Sequence, residues 1–339
     1  MSLSSINTGK IMCAIARTFT DPKYALGLFK SLPLWSQLVL GFGAYTKARR
    51  LFAQTLLSKS LAGQTAVITG AGSGIGRLMA IKLSGLGVKV ALWDISPGVA
   101  GVADEINKAG GTAKSYVGDV CNRENVYKSA EEVKKEFGQV DILINNAGIV
   151  SGKTLLDVPD GLAEKTVQVN TISHFWTTKA FLPDMIERDS GHIVTIASAS
   201  SLVGVAGLCD YAASKFGAKG FAESLRLELR KLKKWGVKTT VVCPYFINTG
   251  MFDGVKTNPI FILLGLNILE PQYVADETIA AVQRNCPEIR LPYLMYASDA
   301  IHFFFPVWAK DTIFEILGFS SSMDNFKQTR PVAKSFEEK

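Results

Sequence analysis

The chain has 339 residues, 47% apolar and 20% charged, enough apolar surface for a large core and too much for intrinsic disorder over most of its length. Its net charge of +7 sits wholly in residues 1–60, where eight basic side chains meet one acid; the remainder holds 29 of each sign, so a basic stripe for nucleic acid is not supported. Five scattered cysteines (13, 121, 209, 243, 286) form no CxxC pair and three distant histidines (174, 192, 302) no cluster, which points to reduced thiols and to no metal centre.

The first 60 residues form one block. From Ser31 to Thr46 sixteen residues carry no charge, among them Leu34, Trp35, Leu38, Val39, Leu40 and Phe42. A bilayer span needs about 20 apolar residues, and Pro33 lies near the start, so a straight span is short here. Lys30 can snorkel and lengthen it toward Tyr24, and Lys47, Arg49 and Arg50 follow as a cytosolic basic flank would. A cleaved signal peptide fits poorly, because the apolar run begins about thirty residues in. Membrane association is expected, with an amphipathic helix packed on protein as the alternative. Basic residues on both sides leave a hairpin, an interfacial helix and a single span open.

From 61 to 285 short apolar runs alternate with helical stretches. Strands are predicted at Thr65–Thr69, Lys89–Trp93, Ala113–Tyr116, Ile142–Asn145, His192–Ala197 and Lys238–Cys243. Helical periodicity covers Arg77–Ser84, Arg123–Phe137, Ala163–Glu187 and Ala212–Lys233. Such alternation predicts βαβ units and a parallel sheet in a single α/β domain. Residues 286–339 read as a C-terminal extension of apolar clusters (Leu291–Tyr296, Ile301–Trp308) and a polar tail.

The segment Thr69-Gly-Ala-Gly-Ser-Gly-Ile-Gly76 follows an apolar strand and precedes a helix. Glycines there permit a tight turn and let backbone N–H groups approach a pyrophosphate at a helix N-terminus. Gly70, Gly74 and Gly76 give the spacing G-x-x-x-G-x-G, and Ser73 and Ile75 complete the candidate cofactor loop. Asp94 ends the apolar strand after the next turn. An acid there accepts hydrogen bonds from ribose hydroxyls and repels a 2′-phosphate, favouring NAD over NADP, with Arg77 as the counter-signal.

Tyr211-Ala-Ala-Ser-Lys215 puts a tyrosine and a lysine on one helix face, and Ser198 lies thirteen residues before the tyrosine. With the glycine loop and Asn145-Asn-Ala-Gly148, these residues resemble the short-chain dehydrogenase/reductase family over about Leu61 to Thr249. The resemblance implies a Rossmann-type doubly wound parallel sheet and alcohol oxidation. Tyr211 would be the base, Lys215 its tuner and Ser198 the holder of the substrate oxygen, while Asn170 would support a water-linked proton path. Lowering a tyrosine pKa from about 10 toward neutrality requires about 4 kcal/mol, which Lys215 and a nicotinamide cation can provide. By the same resemblance Asp119 would contact adenine, Asn146 would line the cofactor channel, and Ile247 and Thr249 would meet the carboxamide. His174 reads as a packing residue beside the site.

One departure stands out: Tyr245 occupies the place of the family's usual glycine in Pro244-Tyr-Phe-Ile-Asn-Thr249, which puts the local backbone in question. Longer segments (92–95, 145–153, 174–183, 242–252) resemble the membrane-bound retinol dehydrogenase branch, which also contains lipid-droplet 17β-hydroxysteroid dehydrogenases. That implies an NAD-dependent enzyme for a lipophilic alcohol, all-trans-retinol first and a hydroxysteroid second, with a catalytically silent membrane scaffold as the non-enzymatic alternative. It also implies attachment to the endoplasmic reticulum or a lipid droplet, with the catalytic domain facing the cytosol. Met251–Leu269 and Leu291–Trp308 are candidates for a substrate lid, or equally for core extension or dimer contact. A homodimer through 163–187 and 212–233 is expected, with Phe175, Phe181 and Leu225 as interface or core positions.

Overall fold

A computed structural model describes residues 58–255, 266–316 and 321–327. The chain divides after Ser58, and the larger unit begins at Lys59. The expected membrane segment, apart from its last three residues, and Phe261–Leu264 of the expected lid lie outside the described residues.

Seven strands form the sheet: β1 (Thr65–Thr69), β2 (Lys89–Asp94), β3 (Ala113–Val117), β4 (Ile142–Asn145), β5 (Gly191–Ile196), β6 (Val237–Pro244) and β7 (Glu288–Leu291). Their order is β3-β2-β1-β4-β5-β6-β7, and every pairing is parallel. Parallel strands covered on both faces read as continuous apolar runs, which is how Thr65–Thr69 and Ile142–Asn145 were visible without alternation. Within those runs the period of two still sorts side chains. Ala66, Ile68, Ile142 and Ile144 face one layer, and Val67 and Leu143 the other.

The first layer contains α1 (Gly74–Gly85), α2 (Val99–Lys108) and α7 (Pro271–Gln283), through Met79, Leu83, Val102, Ile106, Val274 and Ile279. The second contains α3 (Arg123–Phe137), α5 (Ser173–Glu187) and α6 (Cys209–Lys231), through Val126, Val133, Phe181, Met185, Leu225 and Leu229. Phe181 and Leu225 are therefore core, whereas Phe175 is 41% exposed.

Three differences from the sequence reading have physical causes. The single helix expected over 163–187 is α4 (Asp160–Val167), a π-helical turn (Gln168–Ile172) and α5. A widened turn leaves the apolar periodicity nearly intact, so the pattern does not reveal it. Helices α2 and α7 lie outside the predicted helical stretches, although Val99, Val102, Ala103 and Ile106 in one, and Val274, Ala275, Thr278 and Val282 in the other, bury one face at helical spacing. Finally, β7 joins the sheet beyond the expected boundary at 285, hydrogen-bonded to β6, so the folded unit continues into the supposed extension. Among the described residues, the extension also holds α8 (Ala297–Phe304), α9 (Val307–Ile316) and the short segment 321–327.

Strand order reverses between β1 and β4. In open parallel sheets the crevice outside the strands' carboxyl ends at such a point is where a ligand fits, because the two crossovers leave it in opposite directions.

Candidate active site

A cleft of about 710 Å³ opens at that switch point, within the range of small-molecule and cofactor sites. All the candidate site residues line it except Asn170, which lies fully buried behind it.

The cofactor half is built by glycine geometry. Gly70 and Gly74 have φ of 66° and 55°, the left-handed region that side chains disfavour. Gly76 has no room for a Cβ, which would collide with the Gly70 carbonyl oxygen and the Asn146 amide. Ser73 is the N-cap of α1 and makes no side-chain capping bond, so the helix start with its orphan N–H groups opens on the cleft. The loop is fastened to β4 from below. Thr69 Oγ1 accepts the N–H groups of Asn146 and Ala147 at 3.0 Å each, and Asn146 Nδ2 donates to the Thr69 and Gly70 carbonyls at 2.9 and 3.1 Å. Asn146 thus lines the channel while its amide holds the floor.

Asp94 sits at the end of β2 with Oδ2 accepting from Gly72 N–H at 2.8 Å and Oδ1 from Ser96 N–H at 2.9 Å. Both bonds aim the carboxylate at the cleft. Arg77 does not line the cleft and instead forms a two-pronged pair with Glu105 at 2.6 and 2.7 Å. Asp119 accepts from Lys165 Nζ at 2.8 Å and from Cys121 N–H at 2.9 Å. Burial alone would raise its pKa, but Lys165 and the backbone N–H outweigh burial and hold it below the ordinary value. Lys165 was not anticipated, since nothing in the chain links it to a residue 46 positions away.

The reacting half is packed around β5 and α6. Ser198, Tyr211 and Lys215 are 7%, 4% and 4% exposed. Ser198 follows β5, and its Oγ accepts the Ser200 N–H at 3.1 Å; its hydroxyl proton is then the group it can turn toward a substrate oxygen. Lys215 Nζ donates to the Ile196 carbonyl at 2.9 Å and stands 5.7 Å from the centre of the Tyr211 ring. Burial pulls its pKa down to about 8, which leaves the ammonium form in excess at neutral pH. His174 is buried nearby with both ring nitrogens unpartnered, and burial followed by the Lys215 charge pushes it down to about 3. It is neutral and does not line the cleft, as a packing residue beside the site would be.

Asn170 lies in the π turn. Its Oδ1 accepts from Ile149 N–H at 2.9 Å, and its Nδ2 donates to the Ile149 carbonyl and to Ser214 Oγ, both at 2.9 Å. Both amide hydrogens and the amide oxygen are therefore engaged in joining the loop after β4 to α6.

Tyr245 does not disturb the backbone. Its φ is not in the left-handed region, so no glycine is required, and its N–H donates to the Leu291 carbonyl at 2.7 Å. Its ring is buried beside Phe246, while Ile247 and Thr249 continue along the cleft wall.

Behind the apolar end runs a feature that periodicity does not signal. Three glycines with positive φ (152, 207 and 254), one on each of the loops after β4, β5 and β6, receive the segment 321–327. A Cβ at Gly152 would collide with the Phe326 ring, one at Gly254 with the Asn325 carbonyl, and one at Gly207 would press on Met323 at 3.3 Å. Lys327 N–H donates to the Asp253 carbonyl at 2.8 Å. The tail thus straps the three loops together.

A glycine-cradled crevice next to a serine, tyrosine and lysine defines a dinucleotide-dependent oxidoreductase site. The short chain dehydrogenase family model matches residues 64–259, and the chain belongs to that family of alcohol oxidoreductases with a nicotinamide cofactor. It is 46% identical over 270 residues to human epidermal retinol dehydrogenase 2, covering 79% of this chain and 86% of that protein. With human retinol dehydrogenase 10 it shares 42% over 306 residues, covering 83% and 89%. Among solved structures it resembles a short-chain dehydrogenase/reductase from Burkholderia phymatum in complex with NAD, with TM-score 0.65 and 27% identity over 72% of this chain and 94% of that one. A metagenomic short-chain oxidoreductase in complex with NADP gives TM-score 0.58 and 30% identity, covering 69% and 98%.

Proposed function

We propose that the protein oxidises a lipophilic alcohol with NAD, all-trans-retinol being the first candidate. The observation that carries this reading is the division of one cleft: polar and glycine-lined at the Asp94 end, aromatic and aliphatic beyond Ser198 and Tyr211. The names of the relatives point the same way.

A bound nicotinamide supplies the hydride acceptor. Ser198 donates a hydrogen bond to the substrate oxygen and holds it against Tyr211, whose phenolate takes the hydroxyl proton as the hydride leaves carbon. The Lys215 ammonium, fixed to the Ile196 carbonyl, favours the phenolate. Asn170 contributes through the backbone of its π turn, because its amide is already bonded on both sides. Asp94 selects NAD, since its carboxylate faces the ribose end and Arg77 is paired elsewhere.

Attachment to the endoplasmic reticulum or a lipid droplet belongs to the same reading. No helix among the described residues is long and apolar enough to cross a membrane. The segment 1–60 remains the proposed anchor, assisted by Phe303, Phe304, Val307 and Trp308, which are 67–83% exposed. A homodimer through α5 and α6 is supported by the exposed Phe175, Phe216 and Leu227. The segment 321–327 would act as the fixed back of the substrate lid. The test is a membrane fraction incubated with NAD or NADP and a panel of retinol, steroids and fatty alcohols. Retinal formed with NAD supports the reading; turnover of none of the panel contradicts it.

A further inference from the structure

We infer that the aromatic run Tyr245–Phe246–Phe252 selects a planar conjugated chain over a flexible saturated one, with Phe252 as the specificity-determining residue at the reacting end. This rests on the proposed reading of the site as one for lipophilic alcohols.

The rings form a continuous series that ends on the residue assigned the proton. Tyr211 and Phe252 have centroids 5.8 Å apart at 84°, Phe252 and Phe246 5.0 Å at 71°, and Phe246 and Tyr245 4.8 Å at 66°. Near-perpendicular contacts place the positive edge of one ring on the negative face of the next, so each ring fixes its neighbour's orientation. All four line the cleft, alongside Met251, Val203 and Val205. Tyr245 and Phe246 are 5% and 8% exposed and anchor the series in the core, while Phe252 is only partly buried. Phe252 is thus the member with surface left to meet a substrate.

Such a wall discriminates by shape. A saturated chain entering it gains burial wherever it lies and loses the freedom of every bond that becomes fixed. A conjugated chain is already flat, loses less, and presents a π surface to rings held at fixed angles. The family's usual glycine at position 245 would leave the Phe246 ring without its buried partner, so the departure at Tyr245 is the start of the series. Burial pushes the Tyr245 hydroxyl up to about 12, so this end carries no charge at working pH.

The test uses the full-length chain in membrane fractions with NAD, and all-trans-retinol and hexadecan-1-ol as competing substrates. The readout is the ratio of their kcat/KM values, which a general loss of folded enzyme leaves unchanged. Phe252→Leu is expected to lower the preference for retinol about tenfold, mainly through the retinol KM. Phe252→Tyr, which keeps a ring, should retain the preference, and Tyr245→Gly should erode it severalfold. Equal losses on both alcohols in Phe252→Leu would reduce the rings to packing and overturn the inference alone. If wild type binds NAD yet oxidises neither alcohol, the functional reading falls and this inference with it.

Discussion

The two halves of the cleft are held by different physics. At the cofactor half the backbone is the binding surface: Gly70, Gly74 and Gly76 let peptide groups approach a ligand, and Thr69 and Asn146 brace them through hydrogen bonds. At the substrate half the surface is made of side chains, with Phe246, Phe252, Met251 and Val203 arriving on loops that the strap at 321–327 ties together. A backbone site tolerates almost no added atoms, whereas a side-chain wall can be recut without disturbing the sheet. This is how a single scaffold keeps its cofactor while its alcohol changes.

The sharpest way to break this contrast is to add one methyl group at the cofactor half. Gly76→Ala puts a Cβ into the Gly70 carbonyl, and overpacking of this kind costs about 1–3 kcal/mol. NADH binding followed by fluorescence should weaken by about a hundredfold at the upper end of that cost; unchanged binding would show that the loop yields. The complementary cut is at the strap. Phe326→Ala should raise the KM for a lipophilic alcohol about tenfold and leave the NADH affinity intact, because the ring packs on Gly152 and not on the cofactor loop. A parallel loss of NADH binding would mean that the two halves are not separable. Asp94→Ala sharpens the cofactor side, lowering the NAD:NADP preference in kcat/KM severalfold or more. Equal use of both cofactors by wild type would remove the role given to Asp94.

The smallest expected effect concerns acid stability. His174 is neutral in the fold down to about pH 3, whereas an unfolded histidine takes up a proton below about 6.5. The unfolded state therefore binds more protons in that window, and stability falls as pH drops through it. His192, also held neutral by burial, acts in the same direction. His174→Leu should thus lose less stability than wild type between pH 6.5 and 5, read from urea midpoints. Parallel midpoints would show that His174 is not held neutral by the fold.

The same contrast explains what the sequence made legible. Glycines, Asp94 and the Tyr211–Lys215 pair were visible because backbone geometry and helical spacing constrain residue type locally. The strands β1 and β4 were visible as unbroken apolar runs. Lys165, the strap and the ring series were not, because each depends on segments brought together only by the fold: Phe326 meets Gly152 across 174 residues of chain. The π turn around Asn170 escaped for another reason, since widening one turn barely changes the apolar pattern. Strand β7 was hidden by its charges, because Glu288-Ile-Arg-Leu291 is not the unbroken apolar run that β4 shows at the same length, and it stands beside a cluster that read as extension.

The central claim is that Tyr211, oriented beside Lys215, takes the proton in an NAD-dependent oxidation of a lipophilic alcohol. It is tested most directly by retinal formation from all-trans-retinol and NAD, with wild type and Tyr211→Phe measured in the same membrane preparation and NADH binding checked for both. The account predicts turnover by wild type, none above background by the variant, and matching NADH affinities. Retinal formation by the variant at a rate comparable to wild type would contradict it.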